Sequence, residues 1–280
     1  MKNNKTDIQA IRLTKNHYEN FPVASFLIPR NLRKDIAIIY WFARTADDFA
    51  DEGEISSEER LRKLNDFENR LTCLLKGDIE SDFEATLAKT IKESNLTPHY
   101  FYDLLKAFKQ DVVKKLYKNF EELLEYCKYS ANPVGRLILE LNNIRDDKAF
   151  GYSDKICTAL QLTNIYQDIK SDLQKGRIYL PEDEMAKFMI EKKVFELSEN
   201  SLNLSELLEF NINRTRKIFE EGRGLLKFLS GRFKYEIKWT ILGGEEILKK
   251  IEKNDYNVLK IKPKLNKFDF MKLLLISFYD

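Results

Sequence analysis

Several residue types that define other classes of protein are scarce in this sequence. Its 280 residues include only 10 glycines, 6 prolines and 3 cysteines. Three cysteines cannot all pair, and Cys73, Cys127 and Cys157 form neither a CxxC motif nor a cysteine–histidine metal spacing. We therefore expect reduced thiols, as in a cytosolic protein, and no disulfide framework.

An excess of charge of one sign and a long apolar run are also missing. Lysine and arginine number 47 against 45 aspartates and glutamates, a net charge of +2, which argues against a nucleic-acid-binding function. Residues 1–15 lack the apolar core of a signal peptide, and no segment reaches the roughly 18 apolar residues that a membrane span needs. The sequence predicts a cytoplasmic protein and leaves peripheral membrane contact open.

Apolar residues recur at three- and four-residue spacing through most of the chain, as in residues 59–76 and 100–116, which is the period of an amphipathic helix. No Asn-Gly or Asp-Gly pair joins two alternating runs, so strand signals are weak. Without a low-complexity linker or a repeat, we expect one all-α domain over residues 1–280. The predicted helices are 5–17, 32–52, 57–76, 80–94, 98–117, 120–130, 133–146, 152–174, 204–229, 232–253 and 267–278.

A glycine pair interrupts one predicted helix. Gly243 and Gly244 lie inside helix 232–253, where each glycine costs about 1 kcal/mol relative to alanine. The pair predicts either space for a bulky apolar chain or close packing of another helix, or else a kink or break between two helices. Segment 176–203 is the most irregular part of the sequence.

The densest acidic cluster, residues 43–52, follows the apolar run IAIIYWF at 36–42. Positions i and i+4 of a helix differ by only about 40° around its axis, so polar residues at this spacing share a face. The residues on that face are Tyr40, Arg44, Asp47 and Asp51, with Asp48 and Glu52 beside them. The apolar surroundings predict a buried helix, in which the carboxylates need a neutralising partner.

A second polar face lies on predicted helix 152–174 and consists of Gln161, Asn164, Asp168 and Asp172. A single DxxxD pattern is most often a solvated helix face. Two such faces on apolar helices, if they oppose one another, offer carboxylate and amide oxygens, which are the ligands that Mg²⁺ prefers.

Together these motifs resemble the squalene/phytoene synthase family of prenyl transferases. The resemblance runs from about residue 17 to about residue 255 and includes Tyr40–Asp51, YCKYSANPVG at 126–135 and LQLTNIYQDIKSDLQKGRIYLP at 160–181. It implies an isoprenoid-synthase helical fold around a central apolar cavity, in which two aspartate-rich helices hold several Mg²⁺ ions against a substrate diphosphate.

The resemblance also implies roles for individual residues. The implied metal ligands are Asp47, Asp51, Asn164, Asp168 and Asp172, and the four aspartates among them are the implied catalytic residues. The implied substrate contacts are His17, Tyr18, Glu19, Asn20, Tyr40, Arg44, Gln161, Gln167, Arg177 and Tyr179. Two alternatives stay open, since Tyr40 also suits core packing and Arg44 suits a salt bridge to Asp48 or Asp51.

Departures from the family pattern narrow the implied reaction. Gln167 stands where ordinary members have an arginine, and a neutral amide loses a charge-assisted bond to phosphate. The string HYENFPVAS at 17–25 is similar to bacterial hydroxysqualene synthases. This similarity implies conversion of presqualene diphosphate to hydroxysqualene in squalene or hopanoid biosynthesis, coupled to a separate presqualene diphosphate synthase and without a nicotinamide. Tyr18, Glu19, Asn20 and Gln167 are candidates for positioning the attacking water.

Two other functions stay open. The first is head-to-head condensation of two prenyl diphosphates, as in squalene, dehydrosqualene or phytoene synthases. The second is a non-catalytic assembly factor of the same fold, which the two intact acidic motifs disfavour.

Overall fold

The computed structural model describes residues 31–191, 194–195 and 201–278. These ranges contain helices and no strand, which confirms the predicted all-α class. The helices are α1 (Arg33–Asp51), α2 (Ser57–Leu75), α3 (Asp82–Glu93), α4 (His99–Val113), α5 (Phe120–Ser130), α6 (Asn132–Leu141), α7 (Asp147–Gln174), α8 (Glu182–Lys187), α9 (Leu202–Gly222), α10 (Gly231–Lys253) and α11 (Lys267–Ser277), with a 3₁₀ helix at Arg223–Lys227.

Most predicted helices have a counterpart at nearly the same bounds. The main difference is predicted helix 204–229, which ends as an α-helix at Gly222 and continues as the 3₁₀ turn. Helix α8 lies inside the segment that was predicted to be irregular. Predicted helix 5–17 lies outside the described residues.

The chain forms two compact units. The first comprises the residues up to Val113 together with Pro133–Phe150, and the second comprises Lys114–Asn132 together with the residues from Gly151 onward. That the whole chain behaves as one domain stays a prediction. Among the described residues, no helix combines the length and apolarity that crossing a bilayer requires.

Helix α1 buries one face in the core of the first unit. Helix α1 packs with α2, α3 and α4, and it buries Ile38, Phe42 and Ala46 at four-residue spacing. The ring of Phe42 lies 4.9 Å from that of Phe67 and 5.1 Å from that of Phe101. Arg44, Asp47 and Asp51 lie about 140–200° around the helix axis from Phe42. The charged face of α1 therefore points away from this core.

Glycines let three elements of the second unit approach α7 closely, namely α9, the 3₁₀ helix and α10. A Cβ atom added to any of three glycines would lie within 3 Å of an α7 side chain, a distance that packed atoms do not tolerate. The contacting pairs are Gly222 with Ile156, Gly224 with Tyr152 and Gly244 with Leu160. Since Tyr152, Ile156 and Leu160 follow at four-residue spacing, they form one face of α7 that is held against the rest of the unit.

The glycine pair in α10 therefore serves close packing at one of its two positions. Helix α10 runs without interruption from Gly231 to Lys253, so the predicted break is wrong. A Cβ at Gly244 would lie 2.7 Å from Cζ of the buried Phe219, whereas one at Gly243 would meet only Leu265 Cδ1, at 3.6 Å.

We expect opposite effects from alanine at the two neighbouring glycines. Gly244→Ala should lower the free energy of unfolding by about 1–3 kcal/mol, because the added methyl overpacks against Phe219. Gly243→Ala should raise it by up to about 1 kcal/mol, because alanine favours the helix. Urea unfolding followed by circular dichroism measures both. Equal effects of the two substitutions would contradict this account of the packing.

Candidate active site

The polar residues of α7 form the accessible face of an otherwise buried helix. Between Gln161 and Ile169, the side chains of Gln161, Asn164 and Asp168 are partly exposed and those of the six other residues are buried. Asp172, one turn further on, is also partly exposed. The face that the spacing predicted is therefore present, and it bears only amide and carboxylate groups. We call these four residues the α7 stripe.

A cation from a distant segment contacts the α7 stripe. The ammonium group of Lys262 forms an ion pair with Oδ1 of Asp168. One residue later, the carbonyl oxygen of Pro263 accepts a hydrogen bond from the amide of Gln167, at 2.5 Å. The segment 254–266 is thus tied to α7 at two consecutive positions.

Lys262 is the residue that sequence reasoning missed. It belongs to the run Lys-Ile-Lys-Pro-Lys at 260–264, whose lysines carry no periodic pattern that would single one of them out. Only the position of segment 254–266 beside α7 distinguishes it from Lys260 and Lys264. The dense positive charge of this run is the feature of the sequence that could have indicated a partner for the acidic residues.

Gln167 lies off the α7 stripe. Its side chain is only 7% exposed, and it precedes Asp168 by one residue, which places it about 100° around the helix axis. The amide that was predicted to face substrate or water is bonded to the Pro263 carbonyl. A contact between Gln167 and substrate stays a prediction.

A small hollow at the end of α7 brings three predicted residues together. Asp172, Arg177 and Tyr179 line it, beside apolar groups of α7. The ring of Tyr179 stacks on that of Tyr117, with centroids 5.4 Å apart and planes at 23°, and it also contacts Tyr126. These aromatic contacts hold the chain that follows α7 in place beside the last aspartate of the stripe.

An arginine of the same helix contacts three carboxylates of the α1 acidic cluster and offsets part of their negative charge. Arg44 contacts the carboxylates of Asp47 at 2.9 Å, Asp48 at 2.7 Å and Glu52 at 2.6 Å. The side chains of Asp47 and Asp48 are 39% and 40% exposed, so the expectation of buried carboxylates is wrong. The reason is that α1 buries its opposite face against α2–α4 and leaves its acidic face accessible to solvent.

Of the remaining predicted residues, Tyr40 and Asp51 are described by the structure and four others are not. Tyr40 packs against the core of the first unit, as the packing alternative predicted. Asp51 is partly exposed in the last turn of α1. His17, Tyr18, Glu19 and Asn20 lie outside the described residues.

Two buried ionisable groups of the second unit stay neutral. Burial raises the pKa of the Cys127 thiol to about 12 and that of the Tyr166 hydroxyl, on α7, to about 12. Both are therefore protonated at neutral pH. Cys127 is a free thiol that is ill suited to act as a nucleophile, because the thiolate is the reactive form.

The donor groups fit Mg²⁺ in kind, although neither acidic face alone completes a metal site. Within residues 31–191, 194–195 and 201–278, no three histidine, cysteine, aspartate or glutamate side chains converge closely enough to hold a metal ion. The α7 stripe nevertheless presents hard oxygen donors on an accessible face. A cation of the chain sits on each acidic face, Lys262 on Asp168 and Arg44 on Asp47, so both faces attract positive charge.

Aspartates along one accessible face of each of two helices, in an all-α chain, fit the class of isoprenoid synthases that the resemblance implied. The family model of squalene/phytoene synthase matches residues 14–269. The chain therefore belongs to the squalene/phytoene synthase family, and the predicted resemblance is confirmed. It is an enzyme of isoprenoid biosynthesis that acts on prenyl diphosphates.

Several relatives cover most of the chain. A hydroxysqualene synthase of Zymomonas mobilis is 35% identical over 226 residues, which are 79% of this chain and 74% of that protein. A hydroxysqualene synthase of Sinorhizobium fredii is 30% identical over 85% of this chain and 80% of its own length. The crystal structure of squalene synthase HpnC from Alicyclobacillus acidocaldarius is 34% identical, with a TM-score of 0.84 over 91% of this chain and 96% of that one. A dehydrosqualene synthase structure has a TM-score of 0.89 at 22% identity over 99% and 96%, respectively, and shares the fold.

Proposed function

We propose that this enzyme converts presqualene diphosphate and water into hydroxysqualene and diphosphate. The observation that carries the proposal is the 30–35% identity to hydroxysqualene synthases over 79–85% of the chain. The neutral Gln167, buried where the resemblance implies an arginine, supports it. An enzyme that releases one diphosphate needs fewer cationic phosphate contacts than one that binds two diphosphates.

We infer that Asp47 and Asp51 on α1, and Asn164, Asp168 and Asp172 on α7, hold the Mg²⁺ ions of the bound diphosphate. When bound, these ions supply the positive charge that stabilises the departing diphosphate. Holding these ligands on helices with buried opposite faces keeps their positions fixed, which is what an electrostatic site requires.

The reaction exchanges the carbon–oxygen bond to diphosphate for one to water, and the cyclopropane ring of the substrate rearranges and opens between these two events. The bonding electron pair leaves with the diphosphate, the rearranged carbocation is captured by the oxygen of one water molecule, and that water loses a proton. Side chains beside the stripe, such as Ile165 and Ile169, are buried and apolar, so they keep bulk water from this side of α7. The inferred role of Arg44 is to orient Asp47, which it contacts at 2.9 Å.

The second candidate is head-to-head condensation of two prenyl diphosphates. The observation that favours it is the similarity to a protein named squalene synthase, which at 34% identity is as close in sequence as the hydroxysqualene synthases. The two reactions differ in their substrate, because only condensation starts from farnesyl diphosphate. Condensation to squalene also differs in cofactor use, because reduction of the carbocation consumes a nicotinamide, whereas condensation to dehydrosqualene or phytoene does not.

Substrate trials distinguish the two candidates. The purified enzyme with Mg²⁺ should form hydroxysqualene from presqualene diphosphate without NADPH, and it should form no product from farnesyl diphosphate alone. Gas chromatography with mass spectrometry identifies the products. Formation of presqualene diphosphate or squalene from farnesyl diphosphate, with presqualene diphosphate left unconverted to the alcohol, would replace the proposal by the condensation reaction.

Lys262→Met should strengthen binding of a divalent ion at the α7 stripe. The Lys262 ammonium competes for Asp168 in the metal-free enzyme. For a partly exposed ion pair, its removal should lower the Mn²⁺ dissociation constant by about fivefold, corresponding to about 1 kcal/mol. Electron paramagnetic resonance measures free Mn²⁺ directly. The control Lys264→Met removes the same charge from an exposed neighbour two residues away, and equal affinity of the two variants would refute the competition.

A further inference from the structure

The last described helix carries its most exposed apolar side chains on one side. On α11, Phe268 is 74% exposed, Met271 is 62% exposed and Leu275 is 57% exposed, whereas the ring of Phe278, directly after the helix, packs on that of Tyr235 of α10 with centroids 4.8 Å apart. At about 100° per residue the three exposed positions lie within an arc of about 60°. We call them the α11 apolar face.

The orientation of α11 is set by contacts on its other side. Leu273 and Ser277 are buried, and Asp269 forms an ion pair with Lys250 of α10 at 2.8 Å. The indole N–H of Trp239, also on α10, donates to the carbonyl of Phe270 at 3.2 Å. Because these contacts lie opposite the α11 apolar face, the apolar face is directed outward by the packing of α11 on α10.

Asp269 also stabilises the start of this helix. It forms a capping box with Asn266, whose side chain accepts from the Asp269 N–H at 2.9 Å while the Asp269 carboxylate accepts from the Asn266 N–H at 2.8 Å. Burial opposes ionisation of Asp269, but these bonds and Lys250 outweigh it and keep its pKa below the ordinary value. Helix α11 is therefore well defined although its outer side chains are exposed.

The charge around the α11 apolar face is strongly positive. Residues 257–278 contain five lysines and one acidic residue, Asp269, whereas the whole chain has a net charge of only +2. Four of these lysines are exposed, namely Lys260, Lys264, Lys267 and Lys272. Lys267 and Lys272 lie about 40° or less outside the two edges of the apolar arc, where long side chains can place their ammonium groups beside a surface that receives the apolar groups.

From this arrangement we propose that the α11 apolar face docks on an anionic lipid bilayer. Exposed phenylalanine, methionine and leucine side chains flanked by lysines match the interfacial helices that insert one face between headgroups and acyl chains. Lysines near the surface add attraction to anionic lipids. A second copy of this chain fits less well, because the same lysines would meet across the contact and repel one another.

The inference is independent of which prenyl diphosphate the enzyme takes. It adds to the proposed function that the reaction takes place at the surface of a membrane. The long hydrocarbon chains of substrate and product partition into a bilayer, since each buried methylene is favourable by about 0.8 kcal/mol. An enzyme that lies on the bilayer surface receives and releases such molecules without exposing them to water.

A flotation experiment with lipid vesicles tests the docking. The full-length enzyme should float with vesicles of phosphatidylcholine containing 30% phosphatidylglycerol. With vesicles of pure phosphatidylcholine, the amount of enzyme that floats should fall at least about fivefold, because the attraction between lysines and anionic lipids is lost. The variant Phe268→Ser/Leu275→Ser should bind the anionic vesicles at least about tenfold more weakly. Its matched control is Leu202→Ser/Val113→Ser, which removes apolar groups of 74% and 60% exposure elsewhere. Thermal unfolding checks that both variants are folded.

A second variant tests insertion without reducing the apolarity of the face. In Met271→Trp, fluorescence of the new indole should be quenched by brominated lipids in anionic vesicles, beyond the quenching seen in the unchanged chain with Trp41 and Trp239.

Three results would overturn the proposal. They are no flotation with anionic vesicles, equal flotation of the α11 variant and its control, and no additional quenching of the indole at position 271. Light scattering measures whether a second copy of the chain, instead of a bilayer, binds the α11 apolar face. A lipid-free dimer that Phe268→Ser/Leu275→Ser dissociates, without vesicle binding by either protein, would assign the α11 apolar face to a second copy of the chain.

Discussion

Asp168→Ala should reduce the rate of product formation by about 10²–10³-fold, because it removes a central ligand of the inferred metal site and hence stabilisation of the departing diphosphate. Asp168 lies in the middle of the α7 stripe and is the residue that Lys262 contacts. The Mg²⁺ concentration for half-maximal rate should also rise. Rates are measured with presqualene diphosphate and, separately, with farnesyl diphosphate, so the outcome does not depend on the choice between the two candidate reactions.

Glu206→Ala is the matched control for this prediction. Glu206 is an exposed carboxylate on α9 of the same unit, away from the α7 stripe, and its loss should change the rate less than about twofold. Unchanged turnover and unchanged Mg²⁺ dependence of Asp168→Ala would remove Asp168 from the inferred site. Circular dichroism separates loss of activity from loss of fold.

Glu140→Ala should produce the largest loss of stability, about 2–4 kcal/mol in the free energy of unfolding, because three donors lose a buried, charged acceptor. The Glu140 side chain is 2% exposed and accepts three hydrogen bonds, from the N–H of Thr97 at 2.8 Å, its hydroxyl at 2.6 Å and Arg145 at 2.6 Å. Without the carboxylate, these three donors are left without their acceptor. Unfolding in urea, followed by circular dichroism, measures the loss.

The control Glu221→Ala breaks an ion pair of the same length in an exposed place. Glu221 lies 2.6 Å from Lys155, and the two side chains are 59% and 45% exposed, so its loss should cost no more than about 1 kcal/mol. If both substitutions cost the same, burial does not determine the contribution of Glu140. If Glu140→Ala is neutral, the three contacts to its carboxylate contribute little to stability.

The parts of the fold that the sequence predicted are those that local chemistry determines. Helix α2 begins at Ser57, as predicted, because the Ser56 hydroxyl caps it by accepting the Glu59 N–H at 3.2 Å. The α7 stripe follows directly from helical spacing. In contrast, the close contact of Gly222, the last residue of α9, with Ile156, a residue 66 positions earlier, is encoded by no local period.

The same distinction holds for the candidate site. The helix period placed Asn164, Asp168 and Asp172 together, but it could not pair Asp168 with Lys262, because that contact depends on the path of segment 254–266. The family resemblance, not the helix period, assigned Gln167 to the substrate site, and neither could foresee that the carbonyl of Pro263 accepts a hydrogen bond from its amide. Contacts between residues nearly a hundred positions apart are set by tertiary packing, which propensity does not report.

The discontinuous first unit has a consequence for folding during synthesis. The N–H and hydroxyl of Thr97, just before α4, are bonded to a carboxylate that the ribosome adds 43 residues later. At about 5–20 residues per second, this delay lasts about 2–9 s. Until Glu140 has been added, these two donors at the start of α4 lack their native acceptor. The stretch Lys114–Asn132 of the other unit leaves the ribosome before the first unit is complete. The two units are therefore translated in interleaved order, so the first unit cannot acquire all of its contacts until part of the second has been made.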